Sequence, residues 1–328
     1  IIPSENTTSY RNKLEFTFSN KRWLTDEEME KYQADPDDSG AKNYGLGFHI
    51  PGRFDKVLDI KKCHLQAEPS NAIRMTVREL AIKNGFLFFD IRKQTGFLRN
   101  LIIRTSTTGD LMVILSVYRQ NEEAIKLLLE TLHIKFPEIT SLMYVVNPKK
   151  NDAIADLDVK LFSGKDHIME KIGELNYKIG AKSFFQTNTM QAGQLYRTAL
   201  DFAQLEGRET VYDLYTGSGA IANYIAHKAG KVIGIECIPE AVEDAKTNSK
   251  INSITNTSFF SGDIKDLLTD EFIAQNGKPN LIITDPPRTG MHADVVKKIL
   301  DISPQKVIYI SCNSATQARD LALMSGHY

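Results

Sequence analysis

Two rhythms of apolar and polar positions divide the chain. Up to about residue 180 the runs are short and alternating: "YRNKLEFTFS", "YGLGFHI", "VLDIKKC", "GFLFFDIRKQ", "NLIIRTST" and "LMVILSVYR". Several close on Gly, Asn or Asp, residues that tolerate tight turns, so the pattern predicts an antiparallel sheet. Helical spacing interrupts it over 71–84 and 121–135, and "ADPDDSGAKNYG" reads as an exposed turn. This first half is α+β.

Beyond it, strand and helix take turns. "TVYDLYT", "KVIGIEC", "TSFFSGD", "PNLIITDPPR" and "KVIYISCN" read as strands. "SGAIANYIAHKAG", "PEAVEDAKTNSKINS", "IKDLLTDEFIAQN" and "DVVKKILDI" carry helical patterns between them. Such βαβ units predict an α/β, doubly wound parallel sheet. Two domains follow, 1–180 and 181–328. In the last strand Val307, Ile308, Tyr309 and Ile310 read as a buried run, broken by Ser311, Cys312 and Asn313.

Composition narrows the class only in part. A length of 328 residues suits two domains, and the formal net charge of −1 gives no global pull toward nucleic acid. Between Asn71 and Arg104, seven basic residues (Arg74, Arg78, Lys83, Arg92, Lys93, Arg99, Arg104) face two acidic ones, Glu79 and Asp90. That is either a phosphate-facing surface or a solvated face. Cys63, Cys237 and Cys312 lie far apart with no paired spacing, which argues against a disulfide framework and for a reducing, cytoplasmic setting. No apolar run has bilayer length, so no membrane partner is expected, and the protein is expected to be a monomer. The chain opens on Ile1 and stops at Tyr328 just past an apparent helix, as an ordered portion of something longer would.

The strand ends carry the candidate chemistry. Gly217 and Gly219 follow one strand and precede a helix, letting the backbone turn tightly and approach a ligand. Glu236 ends the next strand, about twenty residues on, where an acid can meet ribose hydroxyls. Asp263 ends the third. With Asp213, this set is similar to the S-adenosylmethionine methyltransferase fold, an NAD fold being the alternative; Ala222 stands where a dinucleotide turn would have its third glycine. The fourth strand ends in Asp285-Pro286-Pro287-Arg288, whose prolines stiffen the turn and remove two backbone donors. An aspartate and Cys312 at strand ends of one sheet form a site constellation.

Together, "DPPRTG" and "SCNSATQARDL" resemble the signature of the RNA uracil-5-methyltransferase family, which makes 5-methyluridine in ribosomal or transfer RNA. "SFFQTNTMQAGQLY" resembles the opening of its catalytic domain and "YRNKLEFTFS" that of its central domain. The resemblance implies a central α+β RNA-binding domain over 1–180 and an S-adenosylmethionine-binding catalytic domain over 181–328. It makes Cys312 the nucleophile and Asp285 the contact to the target uracil. Gln186, Tyr215, Gly217, Gly219, Glu236, Asp263 and Asp285 match positions that bind cofactor or organise the site. "VLDIKKCHL" resembles the segment with the last of four iron–sulfur cysteines, but Cys63 alone cannot hold a [4Fe–4S] cluster; a small buried thiol is the other reading. The family's other cluster cysteines and its β-barrel RNA-binding domain would precede Ile1, and its glutamate base would follow Tyr328. Ser314 and Thr216 replace a usual proline and cysteine.

The chemistry fits these residue types. Carbon 5 of uracil is a poor nucleophile; thiolate attack at carbon 6 makes an enolate that can take a methyl group at carbon 5. A helix starting at Asn313 or Ser314 would favour an anion at the preceding thiol. An ionised Asp285 can accept from the ring N–H. The target uridine must leave its stack, so loop or single-stranded RNA is the expected partner, ribosomal RNA ahead of transfer RNA. Phe184 or Phe185 could stack on it, or pack in the core. The rivals are a base or amino-group N-methyltransferase, which needs no cysteine, and a non-catalytic RNA-binding or RNA-folding module.

Overall fold

A computed structural model describes residues 1–34 and 43–328, so the expected turn in "ADPDDSGAKNYG" lies mostly outside the described residues. The chain forms two compact units. The first comprises Ile1–Glu170, Gly180–Lys182 and Thr187–Thr189; the second comprises Lys171–Ile179, Ser183–Gln186 and Met190–Tyr328. Among the described residues, no helix is long and apolar enough to cross a membrane.

The first unit is built on strands β1 (Lys13–Ser19), β2 (Gly45–Ile50), β3 (Arg53–Asp59), β4 (Leu98–Thr105), β5 (Leu111–Val117), β6 (Ser141–Val146) and β7 (Val159–Gly164). They form one sheet in the order β3-β2-β1-β4-β5-β6-β7. Helices α1 (Asp26–Ala34), α2 (Ser70–Lys83) and α3 (Glu122–Lys135) complete it. Phe16, Leu101 and Val113 from the sheet share a core with Ile73 and Val77 of α2 and Leu128 and Leu132 of α3. The sheet is mixed rather than antiparallel throughout. Strands β5 and β6 run parallel because α3 lies between them and returns the chain to the same sheet end.

Two further expectations are corrected in this unit. "GFLFFDIRKQ" makes only isolated bridges, Phe88 with Leu98 and Asp90 with Thr95. Asp90 Oδ1 accepts from the backbone N–H of Arg92 at 2.9 Å and of Lys93 at 3.0 Å, folding the run into a turn. The basic cluster is turned inward in part: Arg74, Arg99 and Arg104 are buried, while Lys83, Arg92 and Lys93 are exposed. Arg74, fully buried, donates to the carbonyls of Leu46, Ile60 and Lys61; Arg99, 1 % exposed, donates to those of Asn147 and Asn151 and pairs with Asp152. Arg104 is buried, and burial lowers its pKa to about 10. Arg78 and Arg92 pair with Asp59 and Asp55. A guanidinium carries five donors that can satisfy several carbonyls at once, so Arg74 and Arg99 bind loops together instead of facing phosphates.

A hairpin of β8 (His167–Ile172) and β9 (Leu175–Gly180) precedes α4 (Thr189–Ala203). The second unit then alternates β10 (Thr210–Leu214), α5 (Ala220–Ile225), β11 (Lys231–Glu236), α6 (Pro239–Ile251) and β12 (Thr257–Ser261). It continues with α7 (Ile264–Leu267), α8 (Asp270–Asn276), β13 (Leu281–Thr284), α9 (Ala293–Ile302), β14 (Lys306–Tyr309) and α10 (Ser314–Met324). The five strands are all parallel, in the order β12-β11-β10-β13-β14. The single helix expected over "IKDLLTDEFIAQN" is broken at Leu268, because the Thr269 hydroxyl caps a new helix by accepting from Phe272 N–H at 3.2 Å. In the run Val307–Ile310 only Ile308 is buried. Its strand lies at the edge of the sheet, where one side lacks a neighbour among the described residues.

Candidate active site

Five parallel strands present their C-terminal ends on one rim, and the order reverses between β10 and β13. Open α/β sheets bind ligands at such a switch point. Tyr215, Glu236, Asp263, Asp285 and Cys312 stand at or just beyond the ends of β10, β11, β12, β13 and β14 respectively.

The turn after β10 is held by carboxylates. Asp213 is 1 % exposed; its Oδ2 accepts from the Thr216 hydroxyl at 2.6 Å and from Ala222 N–H at 3.1 Å, while Oδ1 is buried without a partner among the described residues. Burial pushes this carboxyl up to about 7, although the Thr216 bond opposes the rise. Glu236 Oε2 accepts from Gly217 N–H at 3.1 Å, and its Oε1 accepts from Ile238 N–H at 3.0 Å and the Cys237 thiol at 3.2 Å. Tyr215 holds φ +62°, a conformation costing an L residue about 1–2 kcal/mol. Such strain persists where surrounding structure imposes it. A Cβ on Gly217 would meet nothing within 4 Å, whereas one on Gly219 would lie 2.8 Å from Ala245 Cβ. The first glycine thus borders open space and the second seals the helix onto its neighbour.

Asp263 caps α7, accepting from Lys265 N–H at 3.1 Å and pairing with Lys265 Nζ at 3.2 Å. The backbone bond and the ammonium hold its carboxyl below the usual range. Asp285 is half-buried and, among the described residues, its carboxylate receives no hydrogen bond; burial raises its pKa to about 6. The buried Tyr196 on α4 is kept protonated by burial, and by the nearby charges of Asp285 and Asp213.

Cys312 is exposed and free. Thr284 and Tyr309 are partners in the β13–β14 register, so Asp285 and Cys312 leave the sheet from adjacent strands. Asn313, not Ser314, caps α10: its Oδ1 accepts from Ala315 N–H at 3.1 Å. Its amide donates to the Arg288 carbonyl at 3.1 Å, and the Thr316 hydroxyl donates to the same oxygen at 3.2 Å. Arg319 Nη2 donates to the carbonyls of Thr289 and Met291 at 2.9 and 3.2 Å. Asp320, 1 % exposed, accepts from Met291 N–H at 2.8 Å and the Tyr309 hydroxyl at 2.7 Å. These bonds tie the turn after Asp285 to the helix after Cys312.

A cleft of about 750 Å³ brings Tyr215 and Asp263 together with Cys237, Pro287, Met291 and Arg319. Gln186 is half-buried, and among the described residues it, Gly217, Gly219, Glu236, Asp285 and Cys312 are not on that cleft's wall. Cys63 is buried in the first unit's core, with Asn71 accepting from its backbone N–H at 2.7 Å. No group of His, Cys, Asp or Glu suited to a metal occurs among the described residues. Of the two aromatics weighed for stacking, Phe185 is buried and Phe184 is 72 % exposed. Tyr196, Arg319 and Asp320 are not among the residues expected from the sequence; the "ARDL" run carries a signal for two of them, since acid and base sit in the helix next to the cysteine.

Comparison with known proteins sharpens the picture. A family model described as tRNA (Uracil-5-)-methyltransferase matches residues 102–327. A Porphyromonas gingivalis protein named an uncharacterized RNA methyltransferase is 55% identical over 99% of this chain and 70% of its own length. A Bacteroides thetaiotaomicron protein of the same name is also 55% identical, over 100% of this chain and 72% of its own. Among solved structures, Pyrococcus abyssi tRNA (uracil-54, C5)-methyltransferase in complex with S-adenosyl-L-homocysteine aligns with a TM-score of 0.76 at 26% identity. That alignment covers 98% of this chain and 71% of the other.

Proposed function

The chain belongs to the tRNA (Uracil-5-)-methyltransferase family, and from that premise we propose that it methylates carbon 5 of an RNA uridine, with Cys312 as the covalent nucleophile. S-adenosylmethionine is the methyl donor, supplying an electrophilic methyl group on a sulfonium. The site suits it. Gly217 leaves open space over the turn, Glu236 and Asp263 stand at successive strand ends, and Tyr215 is strained beside them. Gln186 and Phe184 come from the segment before α4.

The observation that carries the proposal is the exposed Cys312 thiol beside the Asp285 turn, with the two segments tied by Asn313 and Thr316. The thiolate adds to carbon 6 of the uracil, and the ring electrons pass to the carbon 4 oxygen as an enolate. Carbon 5 then takes the methyl group. Transfer of the carbon 5 proton to a general base and expulsion of the thiolate restore the ring. Asp285, ionised above its raised pKa, accepts the ring N–H and sets the base's orientation. Phe184 offers an exposed face for a base out of its stack.

Ribosomal RNA is the proposed substrate; the likeness to a tRNA enzyme supports transfer RNA as a second reading. RNA containing 5-fluorouridine tests the chemistry, because fluorine at carbon 5 blocks the elimination and should leave a covalent adduct on Cys312. Bound RNA and cofactor without an adduct would overturn the mechanism. Mapping 5-methyluridine in ribosomal and transfer RNA after deletion of the gene separates the two substrates.

A further inference from the structure

The first unit holds a second cleft, of about 250 Å³, lined by Asn20, Tyr44, Phe88, Gln94, Tyr118 and Arg119 among others. Tyr44, Phe88 and Tyr118 give its walls their aromatic part. Tyr44 stacks on Phe88 with ring centroids 4.4 Å apart and planes 10° apart, and Tyr118 leans on Phe89 at 5.0 Å. Gly96, at φ +116°, lets the chain pass close beneath, since a Cβ there would lie 2.7 Å from the Phe88 carbonyl oxygen.

Two polar groups in this cleft are unanswered. Asn20 Nδ2 donates to Asp90 Oδ2 at 3.0 Å, but Asn20 Oδ1 is buried with no partner among the described residues. A buried acceptor left unpaired is destabilising, and a donor that reaches it is bound the more favourably. Arg119 is exposed, and among the described residues its guanidinium forms no hydrogen bond or ion pair. Aromatic faces, an acceptor awaiting an N–H and a cation without a counter-ion match the face and the polar edge of a base and a phosphate. The space suits one planar ring system and excludes a duplex.

We propose that this cleft binds one unpaired nucleotide of the RNA substrate, its base against the aromatic walls, a base N–H donating to Asn20 Oδ1 and a phosphate on Arg119. The proposal rests on RNA being the substrate and adds a recognition site away from the reacting base.

Ultraviolet crosslinking to a short single-stranded RNA with randomly placed 4-thiouridine tests it, with the crosslinked peptides identified by mass spectrometry. Crosslinks are expected at Tyr44, at Tyr118 or within 87–96. The exposed substitution Arg119→Ala is expected to weaken binding of the same RNA roughly three- to tenfold and to reduce the salt dependence by about one phosphate contact. Normal RNA binding by Arg119→Ala, with no crosslink in these segments, would overturn the site while leaving the RNA reading intact. Failure of the wild-type protein to bind RNA would overturn both. Crosslinking abolished by millimolar UMP without loss of RNA affinity would make the cleft a free-nucleotide site, against the proposal.

Discussion

The side-chain amide of Asn313 donates to the Arg288 carbonyl at 3.1 Å while its oxygen caps α10 through Ala315 N–H, also at 3.1 Å. One side chain thus performs two separable tasks. It starts the helix that follows Cys312, and it fixes that start against the turn that follows Asp285.

Substitution separates the tasks. Asn313→Asp keeps an N-cap acceptor and so should leave thermal stability within about 0.5 kcal/mol of wild type. It cannot donate to Arg288, so methyl transfer should fall, with kcat affected more than the cofactor's Kd. Asn313→Ala loses both bonds and should cost about 1 kcal/mol of stability as well. Denaturation and steady-state kinetics on the same preparations check this; equal kcat in wild type and Asn313→Asp would show that the tie is idle.

Asp285 should set a pH limb. Its folded-state pKa is raised by burial from 3.8 to about 6, so between these values the folded protein holds a proton that the unfolded chain has released. Stability from this group is therefore greatest at low pH, falls as pH rises toward about 6 and is flat above. The change is on the order of 3 kcal/mol. Asp213, raised by burial to about 7, acts in the same direction over a wider window. The role proposed for Asp285 makes activity run the opposite way, since the ionised form would accept from the base. kcat/KM should rise through about pH 6 in the wild type. Asp285→Asn should lower the rate, flatten that limb and gain stability over wild type as pH rises from 4 to 6.

The strand ends of the second unit were legible because parallel βαβ units fix where C-terminal ends go. A period of two or of 3.6 therefore also placed Glu236, Asp263, Asp285 and Cys312. The inward turn of Arg74, Arg99 and Arg104 was not legible. Their carbonyl partners include Leu46, Ile60, Asn147 and Asn151, and only the folded chain brings these within reach. Edge position likewise escapes local pattern: "VIYI" has the composition of a buried strand, but its burial depends on neighbours distant in sequence.

Tyr309 and Asp320 form a test of the link between β14 and α10. Tyr309→Phe removes one donor and should cost about 1 kcal/mol. Asp320→Ala leaves Met291 N–H and the Tyr309 hydroxyl without their acceptor and Arg319 without its carboxylate, and should cost at least 2 kcal/mol. A double-mutant cycle should give a coupling energy of about 0.5–3 kcal/mol. Strict additivity would mean that the hydroxyl and the carboxylate do not stabilise each other in solution.

The two glycines of the turn should fail in different ways. Gly217, at φ +54°, borders open space, and Gly219, at φ +74°, is closed in by Ala245, Asn223 and Phe259. Alanine at either site carries a left-handed backbone cost of about 1 kcal/mol. At Gly219 the new methyl also presses on Ala245 Cβ from 2.8 Å, so overpacking should add about 1–3 kcal/mol and lower Tm clearly. At Gly217 the methyl enters the space above the turn, where the proposed cofactor approaches the backbone. Gly217→Ala should therefore weaken S-adenosylmethionine binding about tenfold or more with the smaller Tm change, by calorimetry on both variants. A reversed order, with Gly219→Ala the weaker binder and Gly217→Ala the less stable fold, would place the cofactor away from this turn.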